Sequence, residues 1–219
     1  MVHFAFWISV ARRPLPLSSF HSEAQMSQQS SYLATLERHR KTFSMLEEHQ
    51  ESAGQLLEHA RQCLRNGGKI IFMGNGGSAA DSQHLAAEFM VRYKQERGPL
   101  ASIALTTDTS ILTAHPNDYE FETVFERQVQ GLGKPEDLVI GLTTSGQSEN
   151  INLALKAAND MGATTVALTG KDGGKVKDIA QLSIIIGSEE TARIQEAHMF
   201  IGHWLCEAMD EVVLTGGLD

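Results

Sequence analysis

Residues 69 to 89 read KIIFMGNGGSAADSQHLAAEF, and this stretch joins a short apolar run to a glycine-rich turn and then to a helical pattern. The continuous apolar run predicts a strand that is buried on both faces, as in a parallel sheet. The glycines and Ser78 allow a tight turn whose backbone N–H groups face an anion at the start of the following helix. Three interpretations follow: a dinucleotide loop, a sugar-phosphate loop, or a plain turn into an ordinary helix.

The same alternation of strand and helix continues on the C-terminal side of this stretch. Short apolar, β-branched runs recur as LASIAL (100–105), DLVIGL (137–142), TTVALT (164–169) and LSIII (182–186). Helical patterns lie near 78–94, 108–130 in broken form, 148–161, 175–180 and 190–214. This order predicts an α/β fold, a doubly wound five-stranded parallel sheet flanked by helices in a flavodoxin-like sandwich. The loops that follow the strands then share one edge of the sheet, where ligands bind.

The region before the first strand divides into two parts. From residue 31 to 66 apolar residues recur at helical spacing, which predicts one long helix or two shorter ones ending at Gly67–Gly68. Residues 1 to 25 carry an apolar patch followed by arginines, the reverse of a signal peptide, and Met26 is a plausible alternative start. We therefore predict a disordered extension or mis-assigned start (1–25), an N-terminal helical segment (26–66) and one domain (67–219).

Charge and cysteine content exclude several classes of function. The chain has 219 residues and a net charge of -9, which argues against a nucleic-acid surface but not against a local anion site built from backbone N–H groups. No apolar run approaches the ~20 residues that span a bilayer. Cys63 and Cys206 lie apart in apolar helical patterns and are expected to be buried thiols. These features predict a cytoplasmic protein with neither a nucleic-acid nor a membrane partner.

The turn after the first strand satisfies part of a dinucleotide-binding pattern. Gly74, Gly76 and Ala79 fit G-x-G-x-x-[G/A], the Rossmann fingerprint. The acidic residue expected about 20 positions later is missing, because Asp108 is too distant. The dinucleotide interpretation is therefore the weaker one.

A second polar loop, TTSGQS at 143–148, follows the run DLVIGL. Hydroxyl groups surround Gly146 at the start of a helix, where free N–H groups and the helix dipole favour an anion. A helix cap would explain Ser148 alone and would leave Thr143, Thr144 and Ser145 without a role. The loop favours a phosphate site.

A third set of polar residues lies on two helices. His84 and Glu88 are four residues apart on one helix face, and Gln195 and His203 lie about two turns apart on the last helix. Two imidazoles and a carboxylate are ligands that Zn²⁺ accepts, with Gln as a poorer one. The same residues are also compatible with a solvated helical pair and a core histidine.

Taken together, five stretches of the sequence resemble the phosphoheptose isomerases of the sugar isomerase (SIS) domain superfamily. They are GNGGSAADSQHLAAEF, ALTTDTSILTAHPNDYEFETVFERQV, TTSGQSENI, ALTGKDGG and TARIQEAHMFIGHWLCE. The resemblance covers roughly residues 31 to 213 and implies the SIS fold. It also implies conversion of sedoheptulose 7-phosphate into D-glycero-D-manno-heptose 7-phosphate, a step of bacterial heptose synthesis for lipopolysaccharide, by a homotetramer with sites at subunit interfaces.

The resemblance also implies roles for individual residues. The expected substrate-binding residues are Asn75, Gly76, Gly77, Ser78, Glu88, Asn117, Asp118, Thr143, Thr144, Ser145, Ser148 and Gln195. One Zn²⁺ per subunit is expected on His84, Glu88, Gln195 and His203, with Arg92 lining the same pocket. The phosphate loop departs from the family where Thr143 replaces the usual Ser and Gln147 a frequent Asn.

Isomerisation through an enediol needs a base at carbon and a proton source at oxygen, which assigns Glu88 as the base and His203 as its partner. Two other classes of function remain open at this point. Some SIS folds are non-catalytic scaffolds, including one that binds the replication initiator protein, and others are sugar-phosphate-sensing regulators. A scaffold does not need Glu88, Gln195 and His203 together, and a regulator would need a DNA-binding domain.

Overall fold

The computed structural model describes residues 17 to 218 of the chain. The described residues form five strands: β1 Ile70–Gly74, β2 Ser102–Ala104, β3 Leu138–Thr143, β4 Thr164–Gly170 and β5 Leu182–Ile186. They also form seven α-helices: α1 Leu17–Ser44, α2 Gln50–Arg65, α3 Gly77–Met90, α4 Thr109–Asp118, α5 Val124–Leu132, α6 Glu149–Met161 and α7 Thr191–Leu214. Short 3-10 turns lie at Met45–His49, Phe121–Thr123 and Lys175–Asp178.

The strands form one parallel sheet in the order β2-β1-β3-β4-β5. In register, Phe72 of β1 lies between Ala104 of β2 and Ile140 of β3. Every residue of β1 and β3 is buried, because helices cover both faces of the sheet. The predicted fold class is confirmed. The strand order reverses between β1 and β3, and in such sheets ligands bind at that switch point.

Two apolar layers hold the helices on the sheet. One face packs against α2, α3 and α7 through side chains such as Leu56, Phe89 and Leu205. The opposite face packs against α5 and α6 through side chains such as Phe125 and Leu155. Because α3 and α7 share a face, residues on these two helices are close in space although they are far apart in sequence.

The predicted domain boundaries stay predictions, and the structure adds two observations about the N-terminal part. The chain divides into a unit of residues 1–39, described from Leu17 onward as helix, and a compact unit of residues 40–219. The second unit therefore begins before residue 67, because α2 buries Leu56, Ala60 and Cys63 against the sheet. Helix α1 begins at Leu17 rather than at 26 or later; residues 17 to 30 are rich in Ser and Gln and lack the apolar stripe that marks a helix in sequence.

Other expectations for the N-terminal part are met. The helical region is two helices joined by a 3-10 turn, and α2 is followed by Gly67 in the left-handed region, with φ +77°. The remaining prediction for residues 1 to 16 lies outside the described residues.

Cys63 and Cys206 are free and buried, and burial raises the pKa of each thiol to about 12. Within residues 17 to 218, no helix is both long and apolar enough to cross a membrane.

Candidate functional site

A cavity of about 310 Å³ lies at the switch point of the sheet. It is lined by Asn75, Gly76, Gly77, Ser78, Leu142, Thr143, Thr144, Ser148, Thr191 and Gln195. The N-termini of three helices meet there, because α3 begins at Gly77, α6 follows Ser148 and α7 begins at Thr191. Free N–H groups and helix dipoles at these ends favour a bound anion.

The turn after β1 is shaped by glycine and held by a pair of amides. Gly76 has φ +57° and ψ -120°, a conformation that L side chains rarely adopt. Asn75 and Asn150 exchange two amide hydrogen bonds of 2.9 Å each, and Asn150 is buried at the start of α6. This reciprocal pair fixes the two strand-end loops relative to each other across the switch point.

The TTSGQS loop presents hydroxyl groups to the cavity. The hydroxyls of Thr143 and Ser148 lie 3.1 Å apart, within hydrogen-bonding distance. Ser148 makes no side-chain cap to α6, so the simple helix-cap interpretation does not account for it. Ser145 differs from its neighbours, because its Oγ accepts a 3.2 Å bond from the Gln147 N–H and it is not part of the cavity lining.

The loop after β4 supports the TTSGQS loop from behind. Gly146 has φ +64°, and a Cβ atom there would lie 2.0 Å from the Gly173 carbonyl oxygen. The Val176 N–H donates to the Gly146 carbonyl at 3.0 Å. The close backbone contact explains why GKDGG and TTSGQS occur in one chain: only glycine lets these two loops approach so closely.

A second cluster of polar side chains lies between α3 and α7. The Nε2 atoms of His84 and His203 are 2.9 Å apart, and Nε2 of His84 is 3.5 Å from the Glu88 carboxylate. Tyr93 stacks on the His203 ring with a centroid distance of 5.6 Å. Burial lowers the pKa of His203, as does the neighbouring His84, whereas Glu88 raises it. The cluster therefore favours a neutral imidazole at His203, which can act as a base or as a metal ligand.

The donor set fits a zinc ion in part. Two imidazole nitrogens face each other 2.9 Å apart, and with each ring protonated on Nδ1 both present a lone pair to one cation. Within the part of the chain that the structure describes, however, no group of three or more His, Cys, Asp and Glu side chains is arranged to hold a metal. Gln195 Nε2 instead donates to Ser78 Oγ at 3.4 Å.

Besides Ser145 and the cluster between α3 and α7, three further predicted residues lie outside the cavity lining. Asn117 and Asp118 lie exposed at the end of α4, where the Asn117 amide donates to the Asp118 carboxylate at 2.8 Å. Arg92 is half exposed, with its Nε 3.7 Å from Glu96, and it too lies outside the lining. Asn117 and Asp118 lie at the end of α4 and Arg92 follows the end of α3, so none of them is at the helix starts that border the cavity.

Sequence reasoning missed three residues that the structure adds. Thr191 and Leu142 line the cavity, and Asn150 holds Asn75. Thr191 is four residues before Gln195, so one helix face carries both, and this spacing is a signal that the sequence offered. Asn150 had no local signal, because its partner is 75 residues away.

Comparison with known proteins agrees with this geometry. Residues 31–170 match the family model described as SIS domain. The phosphoheptose isomerase of Aquifex aeolicus is 60% identical over 150 residues, which cover 68% of this chain and 78% of that protein. That of Akkermansia muciniphila is 53% identical over 167 residues, covering 75% and 88%.

The chain belongs to the phosphoheptose isomerase family of SIS domain proteins. The solved phosphoheptose isomerase of Neisseria gonorrhoeae superposes with a TM-score of 0.80 at 41% identity, covering 84% of this chain and all of that one. The Francisella tularensis structure gives 0.78 at 34% identity, covering 85% and 98%. The predicted family, fold and enzyme class are thereby confirmed, and the scaffold alternative receives no support from these relatives.

Proposed function

We propose that this chain interconverts sedoheptulose 7-phosphate and D-glycero-D-manno-heptose 7-phosphate in bacterial heptose synthesis. One observation carries the proposal: an anion cavity lies beside a pair of facing imidazoles. Ser78 of the cavity precedes His84 by six residues on α3, about 9 Å of helix, and Gln195 precedes His203 by eight residues on α7, about 12 Å. A seven-carbon sugar phosphate can extend from one to the other.

The phosphate group would be bound in the cavity. Hydroxyls of Ser78, Thr143 and Ser148 donate to its oxygens, together with backbone N–H groups of three helix starts. Binding there is remote from the reacting carbons, so its free energy positions C1 and C2 for proton transfer. This assignment supports a sugar phosphate over a dinucleotide, since the ribose-binding acid of the Rossmann pattern is missing.

Proton transfer would be carried out by α3 and α7. Glu88 removes the proton from carbon, and His203 exchanges a proton with the substrate oxygen. The lowered pKa of His203 supports its role, because a neutral imidazole can both accept and return a proton near neutral pH. The sugar then passes through an enediol and is reprotonated on the neighbouring carbon.

We also propose that His84, Glu88, Gln195 and His203 hold one Zn²⁺. The facing imidazole nitrogens support this site. Bound zinc would act as a Lewis acid that stabilises negative charge on the sugar oxygens. A carboxylate has two oxygens, so Glu88 can bind an ion and still accept a proton. A neutral imidazole has one free nitrogen lone pair, so His203 exchanges a proton with the substrate only while its Nε2 is not bound to zinc.

The proposal extends to assembly and location. Met90, Val91 and Phe200 are large apolar side chains that are exposed close to the site helices, which supports a homotetramer with sites at subunit interfaces. Light scattering of the purified protein measures that state. The two buried reduced thiols support a cytoplasmic location.

The deciding experiment measures conversion of sedoheptulose 7-phosphate by wild type and by Glu88→Gln, with and without added Zn²⁺. We expect turnover by wild type and a loss of 10²-fold or more, on the order of general-base contributions, in the variant. Glu211→Gln is the matched control, because Glu211 is exposed on α7. Its turnover is expected to equal that of wild type.

Each result has a definite meaning. Loss of turnover in Glu88→Gln alone supports the isomerase and its base together. Normal turnover in that variant would remove the base assignment but keep the activity. No turnover by folded, zinc-loaded wild type would reject the proposed reaction and favour the interpretation of the chain as a non-catalytic scaffold.

A further inference from the structure

A buried ion pair joins Arg97, in the segment after α3, to Asp210 on α7. The Arg97 Nε and the Asp210 Oδ1 are 2.7 Å apart, and both side chains are only 1% exposed. The other Asp210 oxygen accepts bonds from the backbone N–H groups of Lys94 and Gln95 at 2.8 and 2.9 Å. Neither side chain lines the anion cavity.

The Arg97 guanidinium also caps the C-terminal end of helix α3. Its two terminal nitrogens each donate at 2.9 Å, Nη2 to the Glu88 carbonyl and Nη1 to the Phe89 carbonyl. These carbonyls belong to the last turn, where a helix lacks its own donors and where a cation is favourable. The backbone of Glu88 is therefore bound directly by Arg97.

The partner carboxylate lies on the helix that carries His203. Asp210 follows His203 by about two turns, so both side chains lie on one face of α7. Residues between α3 and Arg97 also contact α7. Tyr93 stacks on His203, and the Lys94 Nζ lies 2.7 Å from the Glu207 carboxylate. Bonds thus run from the Glu88 carbonyl through Arg97 to Asp210, and Asp210 holds the backbone next to Tyr93, which stacks on His203.

We propose that Arg97 and Asp210 are positioning residues that set the spacing of α3 and α7, and through it the approach of Glu88 and His84 to His203. The inference rests on the proposed function of Glu88 and His203 for its catalytic consequence. Buried ion pairs are a poor source of net stability, since apolar replacements are often neutral or stabilising. Geometry, by contrast, depends on the directed bonds from Arg97 to two α3 carbonyls, the Gly98 carbonyl and one carboxylate, which no apolar pair supplies.

The test replaces both charges at once with Arg97→Met/Asp210→Leu. This variant avoids leaving one buried charge without a partner. We expect a folded protein whose kcat falls about 10- to 100-fold, the effect of displacing a catalytic group by about 1 Å. KM is expected to stay within about twofold of wild type, because neither residue lines the anion cavity.

A second variant and a spectroscopic signal keep the test decisive. Arg97→Lys keeps the charge but cannot donate to both carbonyls and the carboxylate, so its kcat is also expected to fall. Histidine side-chain NMR of ¹⁵N-labelled protein is expected to show displaced ring signals of His84 and His203 in both variants. The His198 signal should stay, because that ring is bonded to the Thr169 carbonyl on β4.

Lys69 and Asp137 provide the matched control. This pair also has a buried carboxylate, with Nζ and Oδ2 2.6 Å apart, but it lies at the amino ends of β1 and β3, away from the site. Lys69→Met/Asp137→Leu is expected to change the free energy of unfolding without changing kcat or the His84 and His203 signals.

The outcomes separate this inference from the proposed function. Lower kcat with steady KM and displaced signals supports the positioning role. Wild-type kcat and unmoved His84 and His203 signals in the folded double variant would overturn the positioning role and leave the isomerase proposal intact. If the double variant does not fold, the same result in Arg97→Lys has the same meaning. If wild type fails to turn over sedoheptulose 7-phosphate, the proposed function fails, and the NMR signals alone decide whether the ion pair sets the His84–His203 contact.

Discussion

Asn75 and Asn150 exchange two amide hydrogen bonds of 2.9 Å across the point where the strand order of the sheet reverses. Each residue is both donor and acceptor, so neither can be replaced without leaving the other with an unpaired amide in a partly buried place. The pair ties the loop of β1 to the first turn of α6. Correct spacing of the two halves of the anion cavity therefore depends on it.

Asn150→Ala tests the dependence of substrate affinity on this pair. We expect KM for sedoheptulose 7-phosphate to rise about tenfold and the free energy of unfolding to fall by about 1–3 kcal/mol, the cost of an unsatisfied buried amide. Steady-state kinetics and urea unfolding measure the two effects. Asn159→Ala is the control, since Asn159 is bonded to the Ile179 carbonyl at the far end of α6; an equal rise of KM there would contradict the local explanation.

The hydroxyl of Thr143 is the subject of a second test. Thr143→Val keeps the shape but removes the donor and leaves Ser148 Oγ without its 3.1 Å partner, so we expect KM to rise about tenfold, on the order of one lost hydrogen bond to a charged group. Thr143→Ser is expected to restore affinity. The control Thr113→Val removes a hydroxyl that bonds only its own helix, α4. Unchanged KM in Thr143→Val would assign phosphate binding to backbone N–H groups alone.

Alanine substitution of Gly146 tests the backbone of the TTSGQS loop, and Gly131 on α5 is the control. Gly146→Ala places a Cβ 2.0 Å from a carbonyl oxygen at φ +64°, and we expect a loss of about 1–3 kcal/mol in the free energy of unfolding, with weaker phosphate binding. Gly131 is an exposed position of α5 with open space around it, so Gly131→Ala should stabilise the chain by about 0.5–1 kcal/mol. Chemical unfolding measures the change in the free energy of unfolding for both variants. Equal changes would argue that the contact between the two loops does not cause the loss in Gly146→Ala.

His198 makes the stability of the chain depend on pH. It is fully buried and bonded to the Thr169 carbonyl, and burial lowers its pKa to about 4 from 6.5. The unfolded chain binds more protons between these values, so the contribution of His198 is present above pH 6.5 and is lost as pH falls toward 4, by about 3 kcal/mol in total. Urea unfolding from pH 7 to 4 measures this loss. His198→Gln, which keeps a donor for Thr169 but cannot titrate, should have a shallower pH dependence; an identical slope would assign the effect to other groups.

Metal removal tests the facing imidazoles. Treatment with a chelator is expected to lower turnover, and added Zn²⁺ to restore it in wild type but not in His84→Ala. His59→Ala on α2 is the control and should bind zinc as wild type does. Calorimetric titration with Zn²⁺ measures binding independently of activity. Equal zinc affinity in wild type and His84→Ala would exclude the site from metal binding.

The sequence alone determined which elements form and in which order. Runs such as IIFM and LVIGL are too continuous to be amphipathic, so they had to be strands covered on both faces. Glycine-rich and hydroxyl-rich turns after β1 and β3 marked the two loops of the anion cavity. These properties are local: they depend on residues within one or two turns of each other. The beginning of α1 at Leu17 escaped the same reasoning because its first residues carry no apolar pattern.

Only the tertiary structure decided which side chains meet. Asn75 pairs with Asn150 over 75 residues, Arg97 with Asp210 over 113, and His84 with His203 over 119. Periodicity assigns a residue to a helix face, but it does not tell which other face that helix will contact or at what spacing. That choice depends on the packing of α3 and α7 on one side of the sheet and on loop closure at its carboxyl edge, which are properties of the whole folded chain.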